Sequence, residues 1–333
     1  MKETDSNIFD IVRHTAAILV IFSHNYVLHG VNEPSFNNLS IGGFAVLTFF
    51  SISGYLIAQS YTNAKSNSEY LKKRTLRIFP GLSICLIFTI YICCGIFGRD
   101  DFIDWISSTK PIYPYFHFLL LKGVSYPESY LNYFTSDYIY KNSINGSLWT
   151  LFFEVFDYAL TLVFLGIFKR KIKGAMIFLL GSILIQSACI ISNINTYYIV
   201  NATFLSIAFS IGVVLFLTKE HWKQDRKIKL ILTLISILFI TISTAGKILY
   251  PLLPLGWGML VLITSFSFKD NIIKRRFDFS YGIYIYAFPI QQIIINVFHT
   301  GMISDFIYSL IISIAIAALS WFLVEKPALR IAR

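Results

Sequence analysis

The 333-residue chain is 56% hydrophobic and only 14% charged, against about 25% charged in an ordinary soluble domain. That deficit excludes a water-bathed surface over most of the chain and makes lipid its main solvent. The net charge of +10 comes from short basic clusters set between apolar runs, so topology explains it and nucleic-acid binding is excluded as its main meaning.

Apolar runs of about the spanning length fall at 8–28, 41–60, 78–97, 148–168, 175–192, 198–217, 230–246, 251–268, 281–298 and 305–324. A lipid-exposed strand would leave backbone groups unpaired, so these runs are read as helices. The expected fold is an all-α integral membrane protein: one transmembrane domain over residues 1–333, a polytopic bundle of about ten helices. No cleavable signal pattern precedes the first run, which is read as a retained span.

The first span carries Arg13, His14 and His24. Arg13 and His24 are eleven residues apart, about three helical turns, so they share one face about 16 Å apart along the axis. Asp10, one turn before Arg13, is in reach to pair with it. His24 has two readings: a histidine hydrogen-bonded within the bundle, or a general base, since a neutral imidazole takes a proton near neutral pH. His14 points elsewhere and is read as interfacial packing. In the second span, Gly42, Gly43, Ser51, Ser53 and Gly54 suit close helix approach. Arg74 and Arg77 stand just ahead of Phe79-Pro80 at the expected start of the third span. Two guanidinium forks there suit phosphate groups, and the plainer reading is ordinary loop charge. Cys85, Cys93, Cys94 and Cys189 lie in apolar runs without metal-ligand spacing and are read as packing residues.

Residues 98–147 form the one long loop, rich in Trp, Tyr and Phe, with Phe116 to Val124 as an interfacial or re-entrant piece. It is read either as an aromatic belt at the membrane surface or as a platform for a sugar. The fourth span opens on Asn145-Gly146-Ser147-Leu148-Trp149, then carries Glu154 and Asp157 on one face. A carboxyl at membrane depth is a functional candidate by default. Glu154 is expected to face a polar interior shared with His24, orienting it or touching a substrate. The alternative is a protonated, structural carboxyl.

Of the 28 basic residues, 23 fall in the two tails and in the loops after even-numbered spans, Lys2, Arg275 and Arg333 among them. Cytoplasmic segments hold the Lys/Arg excess, so both termini are expected in the cytoplasm and 98–147 outside it.

These residues together resemble the acyltransferase 3 family of membrane-bound O-acyltransferases, over nearly the whole chain. Arg13 and His24 are similar to its Arg-x10-His motif. Thr48-Phe-Phe-Ser-Ile-Ser-Gly54-Tyr-Leu-Ile57 resembles its phenylalanine-rich stretch, and Arg74-Thr-Leu-Arg77 its Arg-x-x-Arg. Ser147-Leu-Trp149 followed by Glu154, and Glu325-Lys-Pro327, resemble its later motifs. One departure is Ala287, in Tyr284-Ile-Tyr-Ala287-Phe-Pro289, where many members carry histidine.

The resemblance implies a multi-pass protein of the bacterial inner (cytoplasmic) membrane, with the lipid bilayer and a glycan or lipid-linked glycan acceptor as partners. The donor would be acyl-CoA, acetyl-CoA by family analogy, with no tightly bound cofactor and no metal. His24, Glu154 and Arg13 are the catalytic candidates. Arg13, Arg74 and Arg77 are the donor-phosphate candidates, and Trp149, Ser147 and Tyr281 the acceptor-side candidates. A transporter or flippase for a lipid-linked sugar is the alternative, because intramembrane His and Glu also serve proton coupling. The lack of an internal repeat argues against it.

Overall fold

The computed structural model describes residues 7–141, 143–274 and 276–331. Lys2, Arg275 and Arg333 lie outside them. Among the described residues ten helices are long and apolar enough to cross a membrane. In chain order the helices are α1 (Phe9–Leu28), α2 (Ile41–Asn63), α3 (Asn67–Leu86), the short α4 (Phe102–Ser107) and α5 (Ile112–Leu119), α6 (Trp149–Ile167), α7 (Lys171–Ile191), α8 (Tyr197–Leu217), α9 (Arg226–Ile242), α10 (Leu252–Ser265), α11 (Ser280–Ile293) and α12 (Met302–Ser320). A small hairpin, β1 (Ser35–Phe36) and β2 (Leu39–Ser40), joins α1 to α2 through Asn37 and Asn38, both in the left-handed region. Asparagine tolerates that conformation better than most residues.

The third span begins eleven residues earlier than expected. Ser66 caps α3 by accepting from the Glu69 amide at 3.1 Å, so the helix starts in its charged segment, where apolar runs give no signal. Arg74 and Arg77 therefore sit on the helix itself, and Pro80 lies inside it rather than in its first turn. The span continues to Phe97 through a π-helical stretch, Ile87–Cys93. The last span likewise extends through a π turn at Trp321–Glu325 to Ile331.

The close crossing of α2 against α8 depends on glycine. A Cβ on Gly54 would lie 1.9 Å from the Phe209 carbonyl oxygen, and one on Gly212 would lie 2.3 Å from the Ser51 carbonyl oxygen. Backbones that touch this way gain dispersion contacts, the main attraction between helices in lipid. Trp257 of α10 ties in from the side, donating to Thr48 Oγ1 at 2.9 Å.

Proline in α11 has a compensated cost. Pro289 has no amide hydrogen for the Ile285 carbonyl one turn earlier. Asn145 Nδ2 donates to that carbonyl at 2.7 Å and Cys85 Sγ at 3.2 Å. An unpaired carbonyl at this depth would cost several kcal/mol.

The long loop is folded onto the bundle. Trp105 is fully buried and its indole donates to the Ile90 carbonyl at 2.8 Å, in the π-helical stretch of the third span. Asn132 bridges Cys94 and Asp100, and Gln292 of α11 donates to the carbonyls of Tyr140 and Ser143. Trp105, Phe118 and Phe134 thus belong to the core, while Tyr113, Phe116 and Tyr133 remain exposed.

Candidate functional site

Three cavities follow one another along α1. The central one holds about 790 Å³ of non-atom space including its mouth, and Arg13, Ser53, Arg74, Arg77, Glu154 and Tyr281 line it. A second adjoins it toward the basic loops and shares Arg13 and Leu56 with it. A third adjoins it toward the hairpin, shares Val46 and Tyr284, and contains His24, Glu33 and Trp149. The helical spacing of Arg13 and His24 thus places them in successive cavities along one wall.

The arginines are organised by one carboxylate. Asp278, in the loop before α11, accepts from Arg77 Nη2 at 2.6 Å and pairs with Arg13 Nη1 at 3.1 Å. Asp10 takes the other side of Arg13 at 2.5 Å. Burial alone would raise the Asp278 pKa, but Arg13 and Arg77 outweigh it and hold the carboxyl well below the usual carboxylate range. Ser280 adds a hydrogen bond of 2.6 Å. Asp10 and Asp278 together balance the charges of Arg13 and Arg77. Arg74 is different: among the described residues no carboxylate lies within ion-pair distance of it. Its guanidinium sits 5.9 Å from the centre of the Tyr158 ring, and its Nε is buried without a partner.

Glu154 accepts from Ser53 Oγ at 3.2 Å and from the Tyr158 hydroxyl one turn along α6. It faces the central cavity, below the Thr150–Tyr284 hydrogen bond of 2.7 Å. Tyr284 lines both this cavity and that of His24, so the expected shared interior is two adjoining spaces with Tyr284 between them. No hydrogen bond joins Glu154 to His24 among the described residues. Asp157 turns away from Glu154 and accepts from Ser206 of α8 at 2.5 Å.

His24 packs its ring edge-to-face against Phe288, 5.1 Å between centres, and its Nδ1 is buried without a partner among the described residues. A satisfied structural histidine would have both nitrogens paired. His14 meets that description: Nδ1 lies 2.6 Å from the Asp10 carbonyl and Nε2 accepts from the Phe279 amide at 3.1 Å.

Of the acceptor-side candidates, Trp149 lines the His24 cavity. Ser147 is fully buried and lines none of the three cavities described. Tyr281 stands with the arginines: its ring lies 5.7 Å from the Arg77 guanidinium and its hydroxyl donates to the Ile78 carbonyl at 2.9 Å. Glu325 is buried against Gly81 of α3 and accepts from Ser320 at 3.0 Å, supporting this wall from behind.

Sequence reasoning passed over Asp278, Tyr158, Tyr284 and Glu33. Tyr158 had a usable signal, since it lies one turn from Glu154. Asp278 had a weaker one, as one of two acids (with Asp270) in a basic loop where two arginines need a counter-ion.

A multi-pass helical bundle with an arginine-lined cavity at one depth and an imidazole without a partner among the described residues in the next suits a membrane-embedded enzyme. The comparisons agree with this class. A family model described as an acyltransferase domain matches residues 7–325, and the chain belongs to that acyltransferase 3 family. It is 31% identical to an O-acetyl transferase of Shigella phage Sf6, over 96% of this chain and 95% of that one. It is 29% identical to nodulation protein 10 of Rhizobium leguminosarum bv. viciae, over 98% and 94% of the two chains. No solved structure gives a significant match.

Proposed function

We propose that this acyltransferase is an O-acetyltransferase of the bacterial cytoplasmic membrane. It takes an acetyl group from cytoplasmic acetyl-CoA and places it on a hydroxyl of a cell-envelope or exported glycan. The observation that carries the reading is the buried, unpartnered Nδ1 of His24 in a cavity adjoining one lined by three arginines. The name of the phage relative supports acetyl as the group moved.

In this reading the basic loops face the cytoplasm, as their charge predicts. Phosphates of the donor meet Arg13, Arg74 and Arg77, which bind them through charge-assisted hydrogen bonds. Asp10 and Asp278 hold Arg13, and Asp278 also holds Arg77, so little order is lost when the donor arrives. The pantetheine arm runs along α1 past Tyr284. Its reach matches the roughly 16 Å of helix rise between Arg13 and His24, which brings the thioester to the imidazole.

His24 then takes the proton of an acceptor hydroxyl. The oxygen attacks the thioester carbonyl carbon, the carbon–oxygen ester bond forms and the carbon–sulfur bond breaks. The thiolate leaves and receives the proton from the imidazolium, so the histidine is regenerated. Glu154 acts on the donor side: it fixes the Tyr158 ring beneath Arg74.

Membrane vesicles given radiolabelled acetyl-CoA test this. The wild type should place alkali-labile label on glycan. His24→Ala should lower the rate at least a hundredfold, the lower end of what a general base contributes. Transfer by His24→Ala at the wild-type rate would remove histidine from the chemistry.

A further inference from the structure

The His24 cavity contains a carboxylate that the chemistry above does not use. Glu33 lies in the loop after α1 and is half-buried. Its Oε2 accepts from the hydroxyl of Ser23, the residue next to His24 on the helix. Ser23 has room to do this because Gly42 has no side chain: a Cβ there would lie 2.5 Å from Ser23 Oγ. On the far side is the capped start of α2, where Ser40 accepts from the Gly43 amide at 3.0 Å. The serine, the glycine and the helix start hold Glu33 at the wall of a cavity of about 760 Å³.

The remaining lining matters for what could bind there. Among the described residues Glu33 is the only carboxylate lining this cavity, and Trp149, Asn201 and Tyr284 share the wall with it. The three arginines line other cavities, so this space is unsuited to phosphates. An indole beside a carboxylate and a carboxamide suits a ligand with apolar C–H faces and hydroxyl donors. A carboxylate only accepts, and a sugar hydroxyl has a proton to give. Partial burial raises the Glu33 pKa, and the Ser40 hydroxyl opposes that.

We propose that Glu33 is an acceptor-binding residue: it accepts a hydrogen bond from a sugar hydroxyl neighbouring the one that His24 deprotonates. It thereby fixes which hydroxyl enters the reaction. This rests on the glycan O-acetyltransferase reading of the same site.

The test uses the full chain in liposomes, with acetyl-CoA and alkali-deacetylated surface polysaccharide of the host cell as substrates. Glu33→Ala should raise the acceptor KM about tenfold, as expected for losing one hydrogen bond to a charged group. Donor KM and kcat should stay within about twofold. Glu33→Gln should recover part of the loss, because its carboxamide oxygen still accepts. The wild-type acceptor KM in both variants would overturn the inference and leave the acetyl-transfer reading standing. So would a fall in kcat with the acceptor KM unchanged, which would make Glu33 a support of His24 instead. No transfer by the wild type would overturn the reading and the inference together.

Discussion

Arg74 and Arg77 belong to one motif but sit in different electrostatic surroundings. Arg77 is committed to Asp278, whereas Arg74 has only the face of Tyr158 and a buried, unpartnered Nε. Removing Arg77 would leave the buried Asp278 with Arg13 as its one remaining ion-pair partner and disturb Arg13 as well. Removing Arg74 takes away a donor contact and strands no charge. Arg74→Ala should therefore raise the donor KM about ten- to a hundredfold, the value of one charge-assisted contact of about 1.5–3 kcal/mol. Its melting temperature should stay near that of the wild type. Steady-state rates over a range of acetyl-CoA would show this, and an unchanged donor KM with an altered acceptor KM would contradict it. The sequence placed both arginines, and nothing in their spacing told them apart. That difference comes from Asp278, two hundred residues away along the chain.

At the scale of elements, the close seam between α2 and α8 depends on Gly54 and Gly212. Reading Gly54 as a packing residue was possible from its neighbours, Ser51 and Ser53. Its partner helix was not, because close approach leaves no trace beyond a small residue on each side. Gly54→Ala would push a methyl group into a backbone carbonyl, which no rotamer change relieves, and should cost at least about 1–3 kcal/mol. Gly181→Ala is the control, since nothing lies within 4 Å of its added Cβ. Thermal unfolding in detergent should show a clear drop for the first and none for the second. Equal melting of Gly54→Ala and wild type would mean that α2 and α8 do not approach so closely. The early start of α3 is an instructive mismatch at the same scale. Hydropathy marks where a helix becomes apolar, and capping marks where it begins. Here the two differ by eleven residues that carry both arginines of the motif.

At the scale of the whole molecule, composition and loop charge were enough for ten helices, because lipid admits so few backbone arrangements. The row of cavities was only half readable. The α1 stripe from Arg13 to His24 followed from helix geometry, but its division by Tyr284 depends on how α6 and α11 meet α1 and α2. Sequence also put Glu154 at a depth like that of His24, and in the fold it lines the arginine-lined cavity next to that of His24. Depth along a bundle is one coordinate, and the face a helix turns inward is set by its neighbours. The long loop, 98–147, shows the same limit. Its aromatics suggested a surface belt or a sugar platform, and several of them are core residues because the loop docks on α3 and α11.

The claim on which all of this depends is that donor charge and acceptor hydroxyl meet across the bilayer, through the cavities along α1. Oriented proteoliposomes test it, with radiolabelled acetyl-CoA confined to the side of the basic loops and deacetylated glycan confined to the other. Labelled ester should appear on the glycan with wild-type protein and stay at background with His24→Ala. Ester formed only when both substrates share one side, or formed equally by His24→Ala, would contradict the account.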